Sequence, residues 1–231
     1  MTMPPLFRPF SAQTTCNICG STEFTRGNLT RRPDIPPPQC SRCRSVERHR
    51  LIRELYMPLR PLVKDWRAFQ FAPDRSVEPN WFQSFRSSIF EDASRVDMME
   101  IPFGDGAYDI VISNHVLEHV SDDIRALRET LRVVGATGIV HVCVPSPIYR
   151  WETEDWGFPD PRNELHYRHY GADFPMRMRG AIPNSLCVSV TGVDPVTGST
   201  DNVYFFSYSA ATLQLVARQF QHFAIPVARF W

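Results

Sequence analysis

No apolar run in this chain of 231 residues approaches the roughly 20 residues that span a bilayer, so no membrane-spanning helix is expected. The first ten residues, MTMPPLFRPF, lack the apolar core of a secretory signal, and a cytoplasmic location is the expectation. Net charge is missing too. Lys and Arg number 25 against 25 Asp and Glu, which argues against a surface built wholly for nucleic acid or anionic lipid, although a local patch can sit inside a neutral total. Glycine is absent between Gly27 and Gly104. Any close approach of backbone to a ligand in that interval must be made without the residue that makes it easiest.

Apolar residues make up 43% and charged residues 22%, a balance that suits a folded globular chain rather than a disordered one. The length suits one α/β domain with a small appendage. Proline is plentiful, and Pro36–Pro38, Pro145 with Pro147, and Pro159 with Pro161 fall where loops are expected.

Cys16 and Cys19 are separated by two residues, and Cys40 and Cys43 repeat that spacing after an interval of 20. Two residues between cysteines let both thiolates reach one ion, and two such pairs close a tetrahedron. Structural Zn2+ is the expected occupant, since four cysteines leave no position for substrate. Two disulfides are the alternative, which a cytosolic setting disfavours. Cys143 and Cys187 lie in apolar runs and read as buried, inert thiols. Within residues 1–60 ten arginines stand against four acidic residues. That excess suits either a phosphate-binding face or, more simply, a solvated helix after Cys43 with Arg50 paired to Glu54. Val46, Leu51, Ile52, Leu55 and Tyr56 would form the buried side of that helix. No aromatic residues interleave the arginines as a stacking surface would require.

The stretch from Asp97 to Pro145 carries the clearest pattern. Asp109–Ser113 is a short β-branched run suited to a strand. A helix is expected from Ser121, with Asp122 and Asp123 at its positive end and Ile124, Leu127, Leu131 and Val134 on one face. Gly135 ends it, and Ile139–Val144 reads as a second strand. Strand, crossover helix and strand make a parallel unit, whose ligands bind beyond the carboxyl ends of the strands. Asp97, Asn114 and His115 would stand at that rim.

The words IPF, DGAYDIV, SNHVLEHV and DDIRALRETLRVVGATGIVHVCVP, in this order and spacing, closely resemble the class I S-adenosylmethionine-dependent methyltransferases of the type 11 branch. QCSRCRSVERHR resembles a cysteine-rich, zinc-binding segment fused ahead of such enzymes. The resemblance implies a Rossmann-like, mostly parallel sheet with a C-terminal antiparallel hairpin, preceded by a small zinc-binding module. The expected division is residues 1–60 for the module with its linking helix and 61–231 for the methyltransferase domain. The implied cofactor is S-adenosylmethionine and the implied partner a small-molecule methyl acceptor. RNA or protein methylation through the arginine-rich arm, or a non-catalytic scaffold, are the alternatives.

In that family a glycine-rich loop follows the first strand. Here AFQFA (Ala68–Ala72) is the strand candidate and FAPDRSVEP resembles a variant loop of relatives carrying the cysteine-rich arm, which would place Phe71, Ala72, Pro73 and Asp74 against the cofactor. Ser88–Phe90 is the second strand candidate, ending at Glu91 and Asp92, either of which could take the ribose hydroxyls in a forked hydrogen bond. The resemblance assigns Asp97 to the adenine amino group and Met98 to the ring face.

After Pro145 comes an aromatic run with Tyr149, Trp151, Trp156 and Phe158, in a region expected to cover substrate. HYRHYGADF resembles a segment of the same relatives, which makes His166, Arg168, His169 and Tyr170 candidate substrate contacts. A helix start at Asp173 with core aromatics is the structural alternative. Leu186–Val190 and Val203–Phe206 read as two strands, and AATLQLVARQF as an amphipathic helix. Should the acceptor be a hydroxyl, a base must take its proton. His115 is the first candidate, because it sits at a strand end and titrates near neutrality, followed by His166 and His169, with His119 read as structural.

Overall fold

The computed structural model describes residues 14–26, 37–89, 92, 94–145 and 147–231. Two compact units are present: Met1–Met57 with Asp74–Val77 and Gly192–Asp201, and Pro58–Pro73 with Glu78–Thr191 and Asn202–Trp231.

In the first unit, strands β1 (Phe24–Thr25) and β2 (Gln39–Cys40) pair antiparallel. Helix α1 (Glu47–Val63) begins here and buries Leu51, Ile52, Leu55 and Tyr56, as its apolar spacing predicts. Arg50 departs from expectation. It is fully buried, with Nε donating to Asp194 Oδ1 at 2.7 Å and Nη2 to Oδ2 at 2.8 Å. Glu54, its expected partner, instead accepts from Asn17 Nδ2 at 2.8 Å. An exposed pair one helical turn apart contributes about 0.3–0.5 kcal/mol, whereas a two-pronged pair out of water is held by both charge and geometry. Asp194 also accepts from Thr197 N and Oγ1, so its carboxylate is well satisfied. The approach needs a glycine nearby: a Cβ on Gly192 would lie 2.4 Å from Leu51 Cδ2.

The second unit holds most of a sheet of strands β3 (Arg67–Phe71), β4 (Ser84–Ser88), β5 (Ile110–Asn114), β6 (Ile139–Cys143), β9 (Leu186–Val193), β10 (Thr200–Ser207) and β11 (Val227–Phe230), with Gly192 and Val193 of β9 and Thr200 and Asp201 of β10 counted in the first unit. Helices α2 (Asp123–Val134), α3 (Phe174–Ala181) and α4 (Ala210–His222) are interleaved in sequence. The spatial order is β11-β9-β10-β6-β5-β3-β4. β4, β3, β5 and β6 run parallel, while β10 is antiparallel to β6 and β11 to β9. The expected mostly parallel sheet with a C-terminal hairpin is therefore present. Every residue of β5 and β6 is buried, so both sheet faces are covered there. Phe69, Phe71, Val111, Leu127, Leu131, Val140, Phe174 and Phe206 pack in one core.

The differences from the sequence reading are local. Asp122, not Ser121, caps α2, its side chain accepting from Arg125 N at 2.9 Å. β4 ends at Ser88 instead of starting there. Its sequence SFRSS alternates exposed and half-buried positions before the buried Ser88 at a sheet edge, where apolar content is a weak signal. Cys187, Val188, Ser189 and Val190 are all buried, so their alternation does not separate a wet face from a dry one. A separate antiparallel ribbon, β7 (Glu154–Asp160) with β8 (His166–His169), lies in the stretch read as a covering loop.

Replacing Arg50 with Met strands the buried Asp194 carboxylate. The expected loss is about 3–5 kcal/mol of stability by urea denaturation, and Arg50→Met combined with Asp194→Asn should cost less than the two single changes added together.

Candidate functional site

A cavity of about 190 Å³ opens at the carboxyl ends of three adjacent parallel strands: Ser88 ends β4, Phe71 ends β3 with Ala72 next, and Val116 follows β5. Asp97 and Met98 line it on one side, with His119, Val120, Ser121 and Tyr167 on another. The glycine-free loop is made by strain. Ala72 adopts φ +45° and donates its N–H to the Ser88 carbonyl at 2.9 Å. His115, after β5, adopts φ +53° and donates its N–H to the Cys143 carbonyl at 2.8 Å. A left-handed backbone costs a residue bearing a Cβ about 1–2 kcal/mol, and such residues concentrate where function over-determines geometry.

Of the residues predicted to hold a cofactor, Phe71, Ala72, Asp97 and Met98 meet at this cavity. Pro73, Asp92, Asn114 and His115 are not among its lining residues. Asp92 is exposed and accepts from Ser94 N at 3.2 Å, and β4 stops two residues before the strand end expected at Phe90. Asp74 belongs to the first unit, where Oδ1 accepts from Ser76 N at 2.8 Å and Oδ2 lies 3.9 Å from His49 Nε2. Glu91 lies outside the described residues. Sequence reasoning missed Tyr167. The burial of β8 alternates, with His166 and Arg168 on the buried side and Tyr167 and His169 half-exposed. Period-two reading of HYRH would have separated these pairs. Tyr149 and Trp151, expected over the substrate, are 82% and 86% exposed.

Beside the cavity stand four histidines and a carboxylate. His115 Nδ1 lies 3.5 Å from Glu118 Oε1. The His119 ring meets His166 edge-on at 4.6 Å, and His166 meets His169 at 5.9 Å. Burial lowers the pKa of His119, His166 and His169; His119 further lowers that of His166, and Arg150 that of His169. His119, read from sequence as structural, is exposed and lines the cavity.

Arg168 holds this cluster in place. It is 2% exposed, donates Nη1 to Val120 O at 2.6 Å and Nη2 to Ser121 O at 2.9 Å, and donates Nε to Asp155 Oδ2 at 2.7 Å. Tyr170 is equally buried and donates to Asp123 Oδ2 at 3.0 Å, a carboxylate that Arg177 also contacts. Both side chains, read from sequence as candidate substrate contacts, direct these polar atoms at the protein.

The four arm cysteines form a second cluster, their sulfurs all within 4.8 Å of one another. Cys16 and Cys43 are 3.7 Å apart, and Cys19 and Cys40 3.5 Å. A disulfide would require about 2.05 Å, while four sulfurs about 2.3 Å from one ion stand about 3.8 Å apart. The set therefore fits a tetrahedral thiolate-bound ion. Two matching turns build it: Gly20 N donates to Cys16 O and Arg44 N to Cys40 O, with Gly20 at φ +75° and Arg44 at φ +63°. Cys143 and Cys187 are buried, and burial pushes the Cys187 thiol well above its ordinary value.

Residues 77–142 match the family model described as a methyltransferase domain. The match contains the cavity's Asp97, Met98, Val116, His119, Val120 and Ser121. A probable S-adenosylmethionine-dependent methyltransferase of Mycobacterium tuberculosis is 32% identical over 82 residues, 36% of this chain and 28% of the relative. Ajmaline N-methyltransferase of Rauvolfia serpentina is 44% identical over 60 residues, 25% of this chain and 20% of the relative. The matched part of the chain thus spans less than a third of these relatives' length. Among solved structures, 1,6-didemethyltoxoflavin-N1-methyltransferase of Burkholderia thailandensis has a TM-score of 0.46 at 14% identity, over 68% of this chain and 77% of that one.

Ala72→Gly should relieve the left-handed strain and raise stability by about 1 kcal/mol, measured by denaturation. Because burial lowers the three histidine pKa values, the native state binds fewer protons than the unfolded chain below about pH 6.5. Stability should be complete above that pH and decline as pH falls through the lowered folded values. His166→Gln should flatten the decline in a series of melting curves against pH.

Proposed function

We propose that the chain binds S-adenosylmethionine in the cavity at the strand ends and methylates a small molecule. The observation that carries this reading is that Phe71, Ala72, Asp97 and Met98 converge beyond the carboxyl ends of parallel strands, where α/β sheets bind ligands. The cofactor supplies a methyl group already activated on a sulfonium. In this reading the Asp97 carboxylate accepts from the adenine amino group and Met98 gives the ring an apolar contact. The strained turn at Ala72 lets backbone approach the cofactor's methionine part. The protein's main contribution is to hold methyl and acceptor in line.

For a hydroxyl acceptor, His115 takes the proton. Its Nδ1, 3.5 Å from the buried Glu118 carboxylate, gains a partner that orients the ring and stabilises the imidazolium. His166 and His169 contribute to the acceptor side. The four cysteines hold Zn2+ in a structural role that leaves no coordination position open.

Calorimetry with S-adenosylhomocysteine should show binding to the wild-type chain and clear weakening in Asp97→Ala. His115→Ala should lower turnover about 10²–10⁴-fold with cofactor affinity nearly unchanged. Absence of any heat or thermal shift with the nucleoside would overturn the reading, and unchanged turnover would remove His115 from it.

A further inference from the structure

We propose that Glu118, His119 and His166 form a binding site for a divalent first-row transition ion at the edge of the cavity, separate from the four-cysteine site. One donor atom from each lies within 4.8 Å of the others. Two donors about 2.1 Å from one ion stand about 3–3.5 Å apart, so closing on an ion takes side-chain shifts on the order of 1 Å.

Each donor is prepared from outside the cluster. His166 is 8% exposed, and its Nδ1 is buried with no hydrogen-bond partner. A ring nitrogen removed from water in this way is costly unless something takes its lone pair or proton. The opposite nitrogen, Nε2, faces Glu164 Oε2 at 3.9 Å. A carboxylate behind one nitrogen and an ion before the other is the usual arrangement of a metal-bound histidine. The Leu165 carbonyl interacts with the His119 ring, and a carbonyl accepting from one ring nitrogen leaves the lone pair on the other. Glu164 and Leu165 both have positive φ, +56° and +62°, and this turn delivers both groups.

Glu118 is fully buried, and buried carboxylates are commonly paired with a cation or coordinate a metal. His115 at 3.5 Å is one neighbour able to carry charge; an ion shared with two imidazoles is another. Two imidazoles and one carboxylate suit Zn2+, Fe2+, Mn2+ or Co2+ rather than Mg2+ or Ca2+. Three protein donors leave coordination positions open. His119 lines the cavity, so an open position there could receive water or an acceptor oxygen. The site does not depend on methyl transfer, because the ion's binding is read without cofactor or acceptor.

The test uses the full chain and metal alone. After equilibration with excess Zn2+ and desalting, elemental analysis should give two ions per chain. His119→Gln and His166→Gln should each give one, as should Cys40→Ser by loss of the other ion. Titration with Co2+ should show a second binding event weakened about a hundredfold or more by either histidine change. His119 is exposed, so its replacement is not expected to disturb folding, and melting curves of both variants provide the control. One ion per wild-type chain, or a second ion whose affinity is unchanged in both folded histidine variants, would overturn the proposal.

Discussion

A single buried guanidinium fixes the geometry of the candidate site. Arg168 lies on β8, and the carbonyls it grips belong to Val120 and Ser121, just before α2. A charged group at 2% exposure must have its donors satisfied, and here carbonyls and the Asp155 carboxylate accept from them. Those contacts bind the ribbon to the turn that carries Glu118 and His119. They bring His166 against His119 and Tyr167 to the cavity, although nearly fifty residues separate the two segments. Tyr170, Asp123 and Arg177 extend the same network around the buried Asp123 carboxylate.

Strain is the second constraint on the rim. The loop after β3 carries no glycine, yet it adopts the left-handed backbone that glycine makes easy, at Ala72. His115 does the same after β5. Both residues donate their N–H to a carbonyl at a neighbouring strand end, so the sheet ladder itself holds the strained conformations. The missing glycines therefore did not remove the turn. They transferred its conformational cost to Ala72, which lines the cavity.

The arm shows the same logic on a smaller scale. Its two cysteine turns repeat one hydrogen-bond pattern, but glycine occupies the left-handed position in one and Arg44 in the other. Ten arginines in the first sixty residues suggested a basic face. Arg50, one of them, is fully buried against Asp194 and adds nothing to such a surface.

The sheet's central strands, the α2 crossover with its Gly135 stop, the α4 helix and the cysteine pairing were legible in the sequence, because each rests on a short-range pattern: β-branched runs, 3.6-residue spacing, a C-x2-C repeat. That Phe71, Ala72, Asp97 and Met98 would come together at one strand-end rim was legible through the motif around them. The β7–β8 ribbon, the earlier end of β4, the Arg50–Asp194 pair and the clustering of Glu118, His119 and His166 were not. Local pattern specifies which face of an element is apolar. It does not specify which buried charge, 144 positions away, will satisfy a guanidinium, or which imidazoles two distant turns will bring together. Those choices follow from desolvation, which acts only once the chain has closed around the groups concerned.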